Sequence, residues 1–244
     1  MTQDDFERLD PEAFLLYRDA MILVLNKPAG VAVHPGRGPA PNLEPWLEQL
    51  RFGLPHKPQL AHRLDKDTSG CLVLGRHAQA LRLLGQLFKQ DHLIEKVYWA
   101  IVEGSPQETS GTIDLALERQ SSKSYHWRMK VCEQPEKGLN ARTDYRLLAQ
   151  HEGFSLVELI PRTGRTHQLR VHTAAMGWPI LGDPVYGRPH DPKEPGSMLH
   201  LVAKRVSIPL YKNKPPVMVE APVPPHMERM TSFAEAFSAA NPNS

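Results

Sequence analysis

Twenty-three prolines break this 244-residue chain into short apolar runs, and that punctuation limits what it can build. Proline lacks a backbone donor and fixes φ, so it ends helices and is kept out of central strands. The prolines gather in HPGRGPAPN (34–42), GDPVYGRPHDPKEPG (182–196) and KPPVMVEAPVPPH (214–226). Elsewhere MILVLNK (21–27), CLVLG (71–75), VYWAIVEG (97–104) and VAKRVSIPL (202–210) read as strands. TDYRLLAQ and FSLVELIP flank His151-Glu152-Gly153, which predicts an antiparallel hairpin. In HAQALRLLGQLFKQ, Leu81, Leu84, Leu87 and Phe88 share one helical face. A second helix is expected from Thr166 to Met176 with Gly177 as its stop, and a third in NLEPWLEQL. Strands outnumber helices without alternating regularly with them. The expected fold class is therefore α+β, with a largely antiparallel mixed sheet flanked by helices and loops. No linker or repeat is visible, so one domain is expected over 1–244, its core at about 15–225 and a tail or short helix at 226–244.

Charge is unevenly spread. The formal net charge is only +2, yet residues 1–19 carry six acids against two bases, and residues 161–214 nine bases against three acids. A basic region on a nearly neutral chain is either a solvated face or a footprint for phosphates. The two cysteines, Cys71 and Cys132, lack C-x-x-C spacing, which excludes a disulfide scaffold and a cysteine-rich zinc site. Cys71 opens an apolar run and is expected to be a small buried residue. The start, MTQDDFERLD, is acidic and has no signal-peptide core, and no apolar stretch is long enough to span a bilayer. A soluble, cytoplasmic protein without a membrane partner is expected.

The familiar catalytic motifs are missing: no G-x-S-x-G, P-loop, G-x-G-x-x-G or H-E-x-x-H occurs. His167 and His172 are five apart and lie on different faces of a helix, so no metal pair is expected. Two segments stand out instead. HRLDKDTSG (62–70) packs five ionisable side chains before an apolar run. Asp67, Thr68 and Ser69 suit a turn that satisfies its own backbone, and Gly70 suits a close approach or an unusual φ. Asp65 is either a candidate for chemistry or one more polar residue of the same turn. PRTGRTHQLRVH (161–172) holds three arginines and two histidines with no acid. Such an array holds phosphates or a carboxylate, or else forms a solvated basic helix. SSKSYHWRMKV (121–131), with Tyr125 and Trp127, reads equally as an RNA contact or as core packing.

In this order, HRLDKDTSG and TGRTHQLRVH resemble the signature motifs of the RluA-type pseudouridine synthases. NKPAGVAVHP (26–35), KVYWAIVEG (96–104), GWPILGDPVYG (177–187) and MLHLVAKRVSIP (198–209) resemble further segments of that family, so the likeness runs over about 15–225. It implies an isomerase that converts uridine in structured rRNA or tRNA to pseudouridine without cofactor or metal. By the same resemblance Asp65 is the catalytic aspartate, Tyr98 the active-site tyrosine and Arg165 the arginine that pairs with the aspartate. Arg63 matches the residue that fills the RNA stack when the target base flips out, and Leu199 a residue of the base pocket. His62, Arg162, His167 and Arg170 lie in the same motifs and are candidate RNA-binding or base-flipping residues. Asp65 could attack C1′, attack the base, or assist a glycal-type elimination; all three fit a carboxylate. Some members carry an N-terminal S4 domain, for which no room is expected here, and a monomer is expected. The alternative is a noncatalytic RNA-binding or RNA-folding relative, against which the joint presence of Asp65, Tyr98 and Arg165 counts.

Overall fold

The computed structural model describes residues 2–36, 40–90, 93–121, 127–188 and 198–228. The chain forms two compact units, Met1–Lys96 with Val202–Pro222 and Val97–Leu201 with Val223–Ser244.

The first unit starts with α1 (Gln3–Glu7), where Thr2 and Asp5 cap each other's backbone N–H groups. This short helix seats Phe6 on Trp46 of α2 (Glu44–Gln49), their rings 4.2 Å apart. The strands β1 (Leu15–Arg18), β2 (Ile22–Lys27), β3 (Gln59–Leu60) and β4 (Ser69–Gly75) come next, followed by α3 (Ala78–Lys89). Every residue of β4 is buried, and β2 pairs with it antiparallel from Ile22↔Gly75 to Lys27↔Gly70. Such continuous apolar runs mark strands covered on both faces. Helix α3 turns Ala80 and Leu84 inward, on the face expected from the leucine spacing.

The second unit holds β5 (Glu95–Glu103), β6 (Ser110–Asp114), β7 (Leu117–Gln120), β8 (Arg128–Val131), β9 (Arg142–His151), β10 (Phe154–Pro161) and α4 (Gln168–Ala175). Its sheet runs β5-β10-β9-β6, antiparallel throughout, and β7-β8 make a separate two-stranded ribbon. The β9–β10 hairpin turns at Glu152 (φ 50°) and Gly153 (φ 81°), a pair of positive φ values matching the twist of the flanking strands. Ala100, Val102, Val157, Leu159, Leu169, Trp178, Ile180 and Leu199 form the buried core. Gly177, at φ 87°, ends α4 as the sequence predicted.

The chain then supplies β11 (Leu201–Ile208) and β12 (Val217–Glu220), which complete the first sheet in the order β1-β2-β4-β11-β12. Here β11 runs parallel to β4, with Ala203 opposite Gly70, while β3 takes another stretch of β4. Gly70 has φ +101°, and a Cβ placed there would lie 2.3 Å from the Ala203 carbonyl oxygen. Both grounds for a glycine, an unusual φ and a close approach, therefore apply. Cys71 is buried among β11 and β12 backbone carbonyls, and burial pushes its thiol up to about 12. The fold class is α+β with a mixed, mainly antiparallel strand arrangement. Tyr125 and residues 229–244 lie outside the described residues.

Candidate active site

The HRLDKDTSG segment is a turn pinned from several directions. Thr68 N–H donates to the Asp65 carbonyl at 3.2 Å, so the turn closes through backbone. Asp67 faces Lys66, 3.5 Å away. Leu64, Thr68, Ser69 and Gly70 are buried, Asp65 is half-buried, and Arg63 and Lys66 are exposed. An ionisable group on a rigid loop with partial access to solvent suits chemistry better than packing.

Beneath the turn lies Lys27, fully buried at the end of β2. Its ammonium donates to the carbonyls of Pro28 (2.8 Å), Val31 (2.9 Å) and Lys66 (2.9 Å). Burial pulls its pKa down to about 7, against the attraction of Asp67 and Asp65. The sequence announces this only as a lysine closing an apolar run. His62, at the other end, accepts the Val73 N–H on Nε2 at 3.0 Å and stacks on Phe88. Burial, reinforced by Lys96, pulls its pKa down to about 4, so the ring is neutral and braces β4.

The second signature lies between β10 and α4. Arg165 is exposed; its Nε–H donates to the Asn140 carbonyl at 2.9 Å and its backbone N–H to Gln168 Oε1 at 3.0 Å. Anchoring a guanidinium by its inner nitrogen presents the two outer ones, a pair that can grip a carboxylate end-on. Arg162 Nε donates to Asp144 Oδ2 at 2.6 Å. His167, at φ 53°, heads the helix, meets the Tyr186 hydroxyl at 2.9 Å and stacks on the exposed Trp127. Trp127 also has the Arg119 guanidinium 5.2 Å from its ring centroid.

Arg170 is differently placed from its neighbours. Only 3% of its side chain is exposed, and it grips both oxygens of Asp183 at 2.7 and 2.8 Å. Burial alone would raise the Asp183 pKa, but Arg170 and the N–H groups of Val185 and Tyr186 hold it below the usual carboxylate range. This arginine is occupied inside the protein, and its charge is matched there. Tyr98, on β5 opposite Leu159, packs half-buried against the core cluster that contains Leu199, itself 3% exposed. Tyr98 and Leu199 thus share one apolar neighbourhood, while Arg162, Arg165 and His167 share one loop.

Sequence reasoning passed over Lys27, Gln168, Thr143 and His172 as individual site residues. A buried polar side chain is visible only as a lone polar residue among apolar ones, and nothing local says which backbone it serves.

The family model for RNA pseudouridylate synthase matches residues 21–175. This chain belongs to the RNA pseudouridylate synthase family. An uncharacterized RNA pseudouridine synthase of Zymomonas mobilis is 42% identical over 211 residues, 86% of this chain and 93% of that one. The ribosomal large subunit pseudouridine synthase D of Borreliella burgdorferi is 40% identical over 71% of this chain, which spans 54% of that longer protein. Among solved structures, human RNA pseudouridylate synthase domain containing 4 superposes with a TM-score of 0.73 at 25% identity, covering 91% of this chain and 94% of that one. The corresponding domain containing 1 protein gives 0.71 at 28% identity, with the same coverage of both chains. The relatives named synthase D place this family member with the RluA type. Among its described residues no helix is long and apolar enough to cross a membrane.

Proposed function

We propose that this synthase isomerises particular uridines in structured rRNA or tRNA, with Asp65 as the reacting carboxylate. The reaction breaks the N1–C1′ bond, turns the uracil and joins C5 to C1′. C5 gives up its proton and N1 gains one, so no redox partner or transferred group is required. A stacked uridine cannot be reached in place and must leave the helix, at a cost of a few kcal/mol. Arg63, exposed two residues before Asp65, is suited to occupy the vacated stack with its guanidinium plane.

The observation that carries this reading is the bracing of the Asp65 turn by Lys27, beside a strand buried at every residue whose Val73 N–H His62 holds. A turn used only to reverse the chain needs no buried ammonium beneath it. Asp65 works ionised, and desolvation on substrate binding would push it towards neutrality unless a cation offsets that. Arg165 takes that role. Tyr98 stacks on the uracil and excludes water, and Leu199 contributes apolar lining. Arg162 and His167 contact RNA, whereas His62 and Arg170 act through the protein parts they hold. The names of the synthase D relatives favour ribosomal RNA as the first substrate to try.

The test is release of tritium from cellular RNA labelled at uridine C5. Wild-type protein should release it, and Asp65→Asn should not while still binding the same RNA. Binding without release from any RNA would replace this reading with that of a noncatalytic RNA-binding relative.

A further inference from the structure

Gln168 uses its whole hydrogen-bonding capacity inside the protein. Its Oε1 accepts from the Thr163 hydroxyl at 2.7 Å and from the Arg165 N–H at 3.0 Å. Its Nε2 donates to the Arg142 carbonyl and to Thr143 Oγ1, each at 3.0 Å. Two lone pairs and two N–H groups are all that a side-chain amide has. The partners also fix which way round it sits, because a backbone N–H requires the oxygen and a carbonyl requires the nitrogen.

The chain of bonds continues with one possible direction. His172 lies 3.0 Å from the Leu115 carbonyl through Nε2, so Nε2 carries the proton. Its Nδ1 is then an acceptor, and the Thr143 hydroxyl donates to it at 2.9 Å. Thr143, with its proton committed, accepts from Gln168. Burial lowers the His172 pKa, in keeping with the neutral ring this order needs. Thr143 and His172 are wholly buried and Gln168 is 3% exposed. The outer end closes too, since the Arg142 N–H donates to Thr163 Oγ1 at 3.0 Å.

What this network holds is the turn over Thr163-Gly164-Arg165. Gly164 gives that turn no side chain of its own to pack, and Arg165 and Thr166 are exposed. Gln168 holds the Arg165 backbone N–H and the Asn140 carbonyl holds the side-chain Nε–H, and the two together set the reach of the guanidinium. We propose that Gln168 is a positioning residue for the reaction: held by Thr143 and His172, its amide fixes the Thr163–Arg165 turn and thereby aims Arg165. This rests on the role given to Arg165 above.

The test is a double-substitution cycle read by single-turnover tritium release at saturating enzyme, with RNA dissociation constants and thermal midpoints alongside. Gln168→Leu should slow the step at least 30-fold and leave RNA affinity within threefold of wild type. In an Arg165→Lys background the same change should add less than threefold, because the aim it spoils is already lost. Gln168→Glu, which keeps the acceptor and loses the donors, should fall between, and it serves if Gln168→Leu does not fold. Thr143→Val should slow release severalfold at unchanged affinity. A Gln168 variant that stays folded and within threefold of wild type overturns the proposal. So does a full, multiplicative loss in the Arg165→Lys background. Wild-type release from Arg165→Lys alone overturns the role of Arg165 itself, and is told apart because that variant is measured by itself.

Discussion

The ammonium of Lys27 donates a 2.9 Å hydrogen bond to the backbone carbonyl of Lys66, the residue next to Asp65. The same nitrogen serves the Pro28 and Val31 carbonyls, so one buried cation ties the end of β2, the loop after it and the Asp65 turn together. Lys27→Met keeps much of the bulk but orphans three carbonyls. It should cost on the order of 3 kcal/mol in denaturant unfolding. Single-turnover release should fall even where the variant is fully folded, since the turn loses its floor.

His62 gives a pH dependence with a definite sign. Its folded pKa, about 4, lies below the 6.5 of a free imidazole. Between those values the unfolded chain binds a proton that the folded one does not, so stability rises with pH across the window. The stabilisation is complete above about 6.5 and is lost as pH falls towards 4, with a slope of at most about 1.4 kcal/mol per pH unit for one proton. Urea unfolding of wild type against His62→Gln should show a gap that narrows on acidification. A gap independent of pH would show that the ring does not titrate there.

The Arg170–Asp183 pair should behave as a buried pair rather than a phosphate grip. Asp183→Asn or Arg170→Met, each leaving a partner behind, should cost about 3–5 kcal/mol. Their combination should cost less than the sum. If Arg170 instead reached RNA, Arg170→Met would flatten the salt dependence of RNA binding by roughly one phosphate contact. The slope is expected to stay as in wild type.

Arg63 makes the opposite prediction. It is exposed beside the Asp65 turn, so Arg63→Ala should change stability by no more than about 0.5 kcal/mol. Release should slow at least tenfold on duplexed substrate, and much less on a short single-stranded RNA whose uridine needs no flipping. Equal losses on both would assign Arg63 to general phosphate binding.

Much of this was legible in the residues. The runs around β2, β4, β5, β10 and β11 are apolar enough to declare themselves, and Glu152-Gly153 declares its hairpin. β12 was not, because Pro215, Pro216 and Pro222 crowd it; those prolines lie outside the paired residues 217–220 and bound an edge strand rather than break one. The ribbon strands β7 and β8 are four residues each and rich in charge, too short for alternation to show. Within the site, the signature segments could be found but not sorted. Arg165 and Arg170 sit five apart in one basic run, yet one is exposed and the other buried against Asp183. Only the fold brings Asp183 to Arg170 and Thr143 to His172, partners 13 and 29 positions away.

The contact of Gly70 with Ala203 also sets a timetable. The turn bearing Asp65 leads directly into a strand whose parallel neighbour arrives 133 residues later, as the numbering of the pair shows. At ribosomal speeds of roughly 5–20 residues per second, that partner emerges on the order of ten seconds after the turn itself. Until then the Asp65 turn lacks the wall that Gly70 is shaped to meet. A nascent chain, or one truncated before β11, therefore displays both signature motifs in full without the support that makes the first of them rigid.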